Sequence, residues 1–162
     1  MKSATYSRGF RKYPRLWQTN VRPSLWPVQG RLLSNYGRRT DPFSGMGTFH
    51  AGVDIAAPTG TPVRVAADGV VHFAQFFSNY GRLIVVDHGG GMQTYYAHLA
   101  RIYVVPGQEV RRGATIGATG ASGKVTSPHL HYEVRHGGNP INPYTFLARS
   151  ATGETARRDL PF

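Results

Sequence analysis

Three groups of residues in this chain have the types and spacing to do chemistry. The first is His50-Ala-Gly-Val-Asp54. An imidazole and a carboxylate four residues apart can share one borderline cation, and zinc accepts both ligand types. The pattern alone is common, but its setting strengthens it. Gly52 and the following Ile55-Ala-Ala-Pro58 imply a backbone irregular enough to turn both side chains toward one point. The second group is Pro128-His129-Leu130-His131-Tyr132-Glu133-Val134-Arg135. In a strand, alternate residues share a face. Leu130, Tyr132 and Val134 then form a core face, and His129, His131, Glu133 and Arg135 form the other. The two imidazoles would project the same way, roughly 7 Å apart. The third group is Tyr95-Tyr96-Ala97-His98-Leu99, with His98 at the end of an expected strand. A lone histidine in that position is more often a surface residue, and only the other two groups give it interest.

The chain has no cysteine, which excludes a thiolate metal site, a cysteine nucleophile and a disulfide framework. A catalytic zinc without thiols needs about three His or carboxylate ligands and an open position. His50, Asp54 and one of His129 or His131 make such a set. A metal so held would lower the pKa of water near neutral pH. No H-E-x-x-H helix is present, so the glutamate base of that motif is missing. The remaining histidines would handle protons or stabilise a developing oxyanion.

Short strands must position these groups. Candidate strands cover residues 28–33, 62–66, 70–77, 82–87, 93–99, 109–111, 114–118 and 130–135. They are rich in Val, Ile, Tyr and Phe, and most of the 20 glycines and 11 prolines fall between them. Strands without long helical periods predict a compact antiparallel all-β domain, with one helical turn at 143–147. Pro58–Val63 and Pro106–Val110 each set a Pro/Gly turn before a strand, the mark of two similar hairpin units. The reading divides the chain into a basic irregular arm (1–26), a domain (27–147) and a polar tail (148–162).

At 162 residues there is room for one domain with a core of its own. An apolar content of 40% argues against wholesale disorder. The net charge of +11 is concentrated: residues 1–40 hold nine Lys or Arg and no acid. Such an arm could contact anionic polymers, membranes or nucleic acid, or simply be solvated. No apolar run approaches the roughly 20 residues that span a bilayer. The basic start has no apolar stretch behind it, so no export signal is expected in this sequence.

The combined motifs resemble the LytM/lysostaphin-type zinc endopeptidases of bacterial cell walls. The matching residues are His50-Ala-Gly-Val-Asp54-Ile, Ala66-Ala-Asp-Gly-Val70, Tyr96-Ala-His98-Leu and Ser127-Pro-His129-Leu-His131-Tyr-Glu-Val. Gly37-Arg-Arg-Thr-Asp41-Pro resembles the approach to the first motif. Order and spacing agree over residues 27–147. The resemblance implies an antiparallel β fold of the duplicated hybrid motif type, with a groove across one sheet. It implies that His50, Asp54 and His131 hold one Zn2+, and that His98 and His129 are catalytic. It implies cleavage of peptides in peptidoglycan, and hence a periplasmic, envelope or secreted location for a mature or truncated form. The arm would then help dock on anionic wall polymers or membranes. Loops 76–81 and 120–127 would help choose the bond. The tyrosine that some relatives place before the first zinc histidine is missing, with Phe43 and Phe49 in that stretch. Tyr95, Tyr96 and Tyr132 read as core residues, and His72, His88 and His136 as structural or surface residues.

Three other readings compete. A non-catalytic or arm-blocked wall-binding module on the same fold would need a lost ligand or an occluded groove. A carrier domain would need a modifiable hairpin lysine, and Lys124, in a Gly/Ser loop, leaves the histidines unexplained. A specific nucleic-acid binder loses its support once the arm's charge is set aside.

Overall fold

Among the described residues, glycine-punctuated runs of Val, Ile and Tyr form strands, with two single helical turns beside them. The computed structural model describes residues 21–40 and 44–147. The strands are β1 (Leu32–Ser34), β2 (Gly37–Thr40), β3 (Gly47–His50), β4 (Val53–Ala56), β5 (Pro62–Arg64) and β6 (Gly69–Phe76). They continue with β7 (Arg82–Gly89), β8 (Met92–Ile102), β9 (Glu109–Val110), β10 (Thr115–Thr119), β11 (His129–His136) and β12 (Asn139–Ile141). Turns of 3₁₀ helix lie at Ser78–Tyr80 and Pro143–Thr145.

A ten-stranded sheet runs β1-β4-β11-β8-β7-β6-β9, with β12 beside β11 and β10 joining β8 to β5. Strands β2 and β3 form a separate hairpin. Every pairing among the described strands is antiparallel, as the sequence predicts. The two Pro/Gly units interlock: β5 of the first pairs with β10 of the second, and β9 of the second pairs with β6 of the first.

One face of the sheet closes on the core. Val53, Ile55, Ile84, Val86, Tyr96, Leu99, Leu130, Tyr132 and Val134 are all buried there, with Val63, Val65 and Ile116 from β5, its flank and β10. Burying a side chain of this size is worth about 1.5–3 kcal/mol, so this layer fixes the register of β11. The expected core face of β11, Leu130, Tyr132 and Val134, is fully buried. The opposite face carries a small apolar cluster, Leu83, Val85 and Ala97 with Phe73, Tyr80 and Tyr95 packed against it, and the polar groups described below.

Three sequence expectations need correction. The strand expected over 28–33 forms only at Leu32–Ser34; Pro27 instead accepts a backbone bond from Arg64 (2.9 Å), before the chain reaches the sheet. The domain starts before residue 27. Ser24 is buried, Leu25 N–H bonds to Ala66 O (3.3 Å), and Trp26 packs against the core and the Tyr144 ring. Four strands (β2, β3, β4 and β12) had no clear signal. β2 and β3 are almost wholly exposed, and β12 contains Pro140. The rest of the expected arm (1–20), the tail (148–162), Asp41 and Phe43 lie outside the described residues.

Candidate metal and catalytic site

The site begins with a strand pair. β4 and β11 are in register with His131 opposite Asp54 and His129 opposite Ala56. Residues directly opposite in an antiparallel pair share a face with their Cβ atoms about 5 Å apart. Asp54 Oδ1 therefore lies 2.7 Å from His131 Nδ1 and 3.7 Å from His129 Nε2.

His50 arrives from outside this sheet, at the end of β3 in the separate hairpin. The H-x-x-x-D segment thus spans the step from hairpin to main sheet. Gly52 sits at that step with no unusual backbone angle; a Cβ there would run into the Tyr132 carbonyl of β11. Its role is close approach, which lets the chain cross tightly enough to set His50 Nε2 3.2 Å from Asp54 Oδ2.

His98 reaches the site through a distortion. In β8, Tyr96 and Leu99 face the core, so simple alternation would turn His98 to the core as well. Instead, the two-residue step from Arg82 to Ile84 in β7 faces the three-residue step from Tyr96 to Leu99 in β8. The extra residue is a β-bulge, and His98 has φ of 63°. Left-handed backbone at a non-glycine residue costs on the order of 1 kcal/mol and is concentrated at functional sites. The bulge re-aims the ring toward the open face, with centroids 5.0 Å from His129 and 5.9 Å from His131.

Hydrogen bonds set the tautomers. A carbonyl only accepts, so a ring nitrogen bonded to one must carry the proton. Nδ1–H donates to Asn35 O in His50 (2.8 Å), to Ser122 O in His98 (2.8 Å) and to Ser127 O in His129 (2.9 Å). All three rings therefore offer a bare Nε2. His131 is reversed. Its Nε2 lies 2.8 Å from the buried Glu133 carboxylate, leaving Nδ1 to face Asp54.

Two lone pairs, on His50 Nε2 and His131 Nδ1, thus converge on one carboxylate. Acceptors held this close need a cation between them, either a proton or a metal. Without metal, a proton fills the gap. Burial disfavours charge on His131, but its bonds to Asp54 and Glu133 outweigh this and raise its pKa to about 9. Burial also acts against the Asp54 carboxylate, yet His131 and His50 hold its pKa far below the usual range. The three donor atoms lie within 4.8 Å of one another. Two nitrogens and an oxygen, partly exposed on one side, suit a divalent ion such as zinc with room for a further ligand. His98 lies outside this donor set. Burial chiefly, and its histidine neighbours secondarily, lower its pKa and favour a neutral ring.

All five expected residues line one cleft of about 520 Å³. The two loops expected to help choose the bond both reach this cleft, the first through Asn79 and Tyr80 and the second through Lys124, Val125 and Thr126. The loops are sewn together. Ser122 Oγ donates to Leu99 O (2.6 Å) and accepts from Arg82 N–H (3.0 Å), while Lys124 N–H bonds to Asn79 O (3.0 Å). Tyr96 and Tyr132 are fully buried in the core as expected. His72 and His136 are exposed, and His88 is buried away from the cleft. Sequence reasoning did not single out Tyr80, whose hydroxyl donates to Glu133 (2.8 Å) and whose ring lies 5.9 Å from that of His131. The only available signal was its position in the expected loop.

The sequence profile of peptidase family M23 matches residues 48–143, which include all five of these residues. The chain is 42% identical over 124 residues to the DD-carboxypeptidase/endopeptidase Mpg of Neisseria meningitidis serogroup B, covering 76% of this chain and 28% of that protein. It is 40% identical over 136 residues to the peptidoglycan DD-endopeptidase ShyA of Vibrio cholerae, covering 83% of this chain and 29% of that protein. The chain thus spans less than a third of the length of these relatives. A crystal structure of a zinc-containing peptidase from Vibrio cholerae superposes with a TM-score of 0.69 at 34% identity, over 76% of this chain and 38% of that one. With its antiparallel sheet and its His–Asp–His cluster, the chain belongs to peptidase family M23.

Proposed function

We propose that this chain is a zinc-dependent endopeptidase that hydrolyses peptide bonds in peptidoglycan. One observation carries the reading: His50 Nε2 and His131 Nδ1, each ring held by a hydrogen bond at its other nitrogen, meet the Asp54 carboxylate in a cleft that His98 and His129 also face. In this reading His50 Nε2, His131 Nδ1 and an Asp54 oxygen hold zinc. When bound, zinc supplies Lewis acidity toward the scissile carbonyl and toward water.

The other histidines handle protons. His98 and His129 stand on opposite strands with ring centroids 5.0 Å apart. Each is anchored through Nδ1–H, so each can take a proton at Nε2 and, once charged, donate from the same atom. One accepts the proton of the attacking water, and protonated Nε2–H delivers it to the leaving amine. The same N–H groups stabilise negative charge developing on the carbonyl oxygen. Asn79, Tyr80, Lys124 and Thr126 line the cleft where the peptide would lie. That relatives are named DD-endopeptidases supports, for this chain, a cross-link between D-amino acids rather than a glycine bridge. Such a substrate puts the enzyme in the periplasm, the cell envelope or the medium. The basic residues of 1–40 add affinity for anionic wall polymers or membrane.

The test is digestion of sacculi of both cross-link types, with mass spectrometry of the released fragments and a His131→Ala control. New peptide termini that require His131 establish the activity, and their masses name the bond. Intact walls with zinc-loaded protein would overturn it and favour a regulatory module on the same fold.

A further inference from the structure

Glu133 belongs to the polar face of β11 yet is only 1% exposed. A buried carboxylate is costly unless its oxygens are well bonded. Here both are. Oε2 accepts from the Tyr80 hydroxyl (2.8 Å) and from His131 Nε2–H (2.8 Å), and Oε1 accepts from Arg135 Nε–H (2.7 Å). Arg135 is itself fixed. Its guanidinium lies over the Tyr95 ring at 4.6 Å, Nη1–H bonds to Gly138 O (3.1 Å), and Nη2–H reaches the Tyr80 hydroxyl (3.2 Å). The other three histidines of the cleft are held by neutral backbone carbonyls; His131 is held by a carboxylate. That difference reverses its tautomer, because a ring donating from Nε2 must present Nδ1 toward Asp54.

We infer that Glu133, clamped by Tyr80 and Arg135, is a positioning residue that fixes the ring and tautomer of His131 and strengthens it as a metal donor. This rests on the proposed ligand role of His131. A carboxylate accepting from the far N–H of a ligating imidazole orients the ring and increases electron donation through it. Arg135 offers no competing explanation, since an arginine partly open to solvent needs no partner shared with a histidine. Tyr80 adds a link of its own. It stands in the loop that lines the cleft, so the loop and the metal donor share one carboxylate oxygen.

The experiment is zinc affinity by competition with a chromogenic chelator at fixed pH, for wild type, Glu133→Gln and Tyr80→Phe. Circular dichroism and melting of each metal-free protein run alongside. The amide of Glu133→Gln keeps the side-chain shape and removes the charge. Loss of such a partner weakens metal binding by about 10–100-fold, so zinc affinity should fall by at least about tenfold with the fold retained, and less in Tyr80→Phe. A folded Glu133→Gln protein whose affinity falls by less than this overturns the inference, whatever its melting temperature. If Glu133→Gln does not fold, Tyr80→Phe decides: weaker zinc binding supports the clamp and unchanged binding overturns it. Wild type that binds no zinc would overturn the ligand assignment as well, whereas equal tight binding by wild type and variant overturns the role of Glu133 alone.

Discussion

Asp54 and His131 face each other across the β4–β11 ladder, with Asp54 Oδ1 2.7 Å from His131 Nδ1. On the proposed ligand assignment these are two donors for one metal in direct contact, so in the metal-free protein a proton takes the metal's place. His131 has its pKa raised to about 9, so it is charged at pH 7, and zinc must displace that proton. Apparent zinc affinity should therefore rise about tenfold per pH unit from pH 7 to 9 and level off above. Titrations in buffers of different ionisation enthalpy should show about one proton released at pH 7.5. Affinity independent of pH over this range would mean that no proton occupies the site.

In the proposed mechanism His98 and His129 serve the chemistry and not metal binding. Neither ring lies within the donor cluster, and each is anchored on a backbone carbonyl. His98→Gln and His129→Gln should each keep a full complement of zinc and lose activity by roughly 10²–10⁴-fold, the usual range for a general acid or base. His131→Ala should lose both metal and activity. Metal analysis beside a fragment-release assay checks the division. Loss of zinc from either glutamine variant would move that histidine into the ligand set.

Much of the site was legible in the sequence because strand alternation is a strict rule. A single run, His129-Leu-His-Tyr-Glu-Val-Arg135, announced which side chains would share the open face. What alternation could not supply was His98, whose approach depends on a bulge defined by pairing between β7 and β8. Nor could spacing decide which of His129 and His131 would lie against Asp54. That depends on the opposite partner in β4 and on which nitrogen a neighbour protonates, and both are tertiary facts. The β2–β3 hairpin escaped notice for another reason. Its strands bury little, so they carry no apolar period to read.

The two cleft loops meet at glycines, and this predicts a sensitive position remote from the metal. Gly81 has φ of 66°, and a Cβ there would collide with the Ser122 backbone and hydroxyl. Ser122 O is the anchor of His98 Nδ1–H. Gly81→Ala should displace Ser122 and release the His98 ring, lowering kcat by about tenfold or more, since a displacement of about 1 Å costs on the order of a hundredfold. Zinc content should stay the same. The strained backbone angle should also cost about 1 kcal/mol of stability, visible as a lower urea midpoint. A variant with normal kcat would show that the Ser122 contact does not position His98.

His88 provides a pH test of the scaffold, away from the metal. Its Nδ1–H donates to Asp68 O (2.7 Å), and its Nε2 lies 2.7 Å from the Thr94 hydroxyl, which in turn is 2.7 Å from the Tyr96 hydroxyl. The Ala66 amide donates to that same tyrosine (2.9 Å), so the chain of bonds ties β7 and β8 to the segment between β5 and β6. Burial lowers the His88 pKa from 6.5 to about 4, with the Asp68 carbonyl opposing. Between those values the unfolded chain binds a proton that the folded chain refuses, so stability rises with pH across this window and is lost as pH falls through it. The span is worth on the order of 3 kcal/mol. His98 adds loss in the same direction, and the lowered pKa values of Asp54 and Glu133 act at lower pH. Glutamine at position 88 has no proton to take up. His88→Gln should be less stable than wild type at pH 7, by about 1–3 kcal/mol for its weakened bonds. Its urea-unfolding free energy should then fall less steeply from pH 6.5 to 4, so that the two curves converge or cross. Parallel curves would show that His88 accepts a proton in the folded protein as readily as in the unfolded chain.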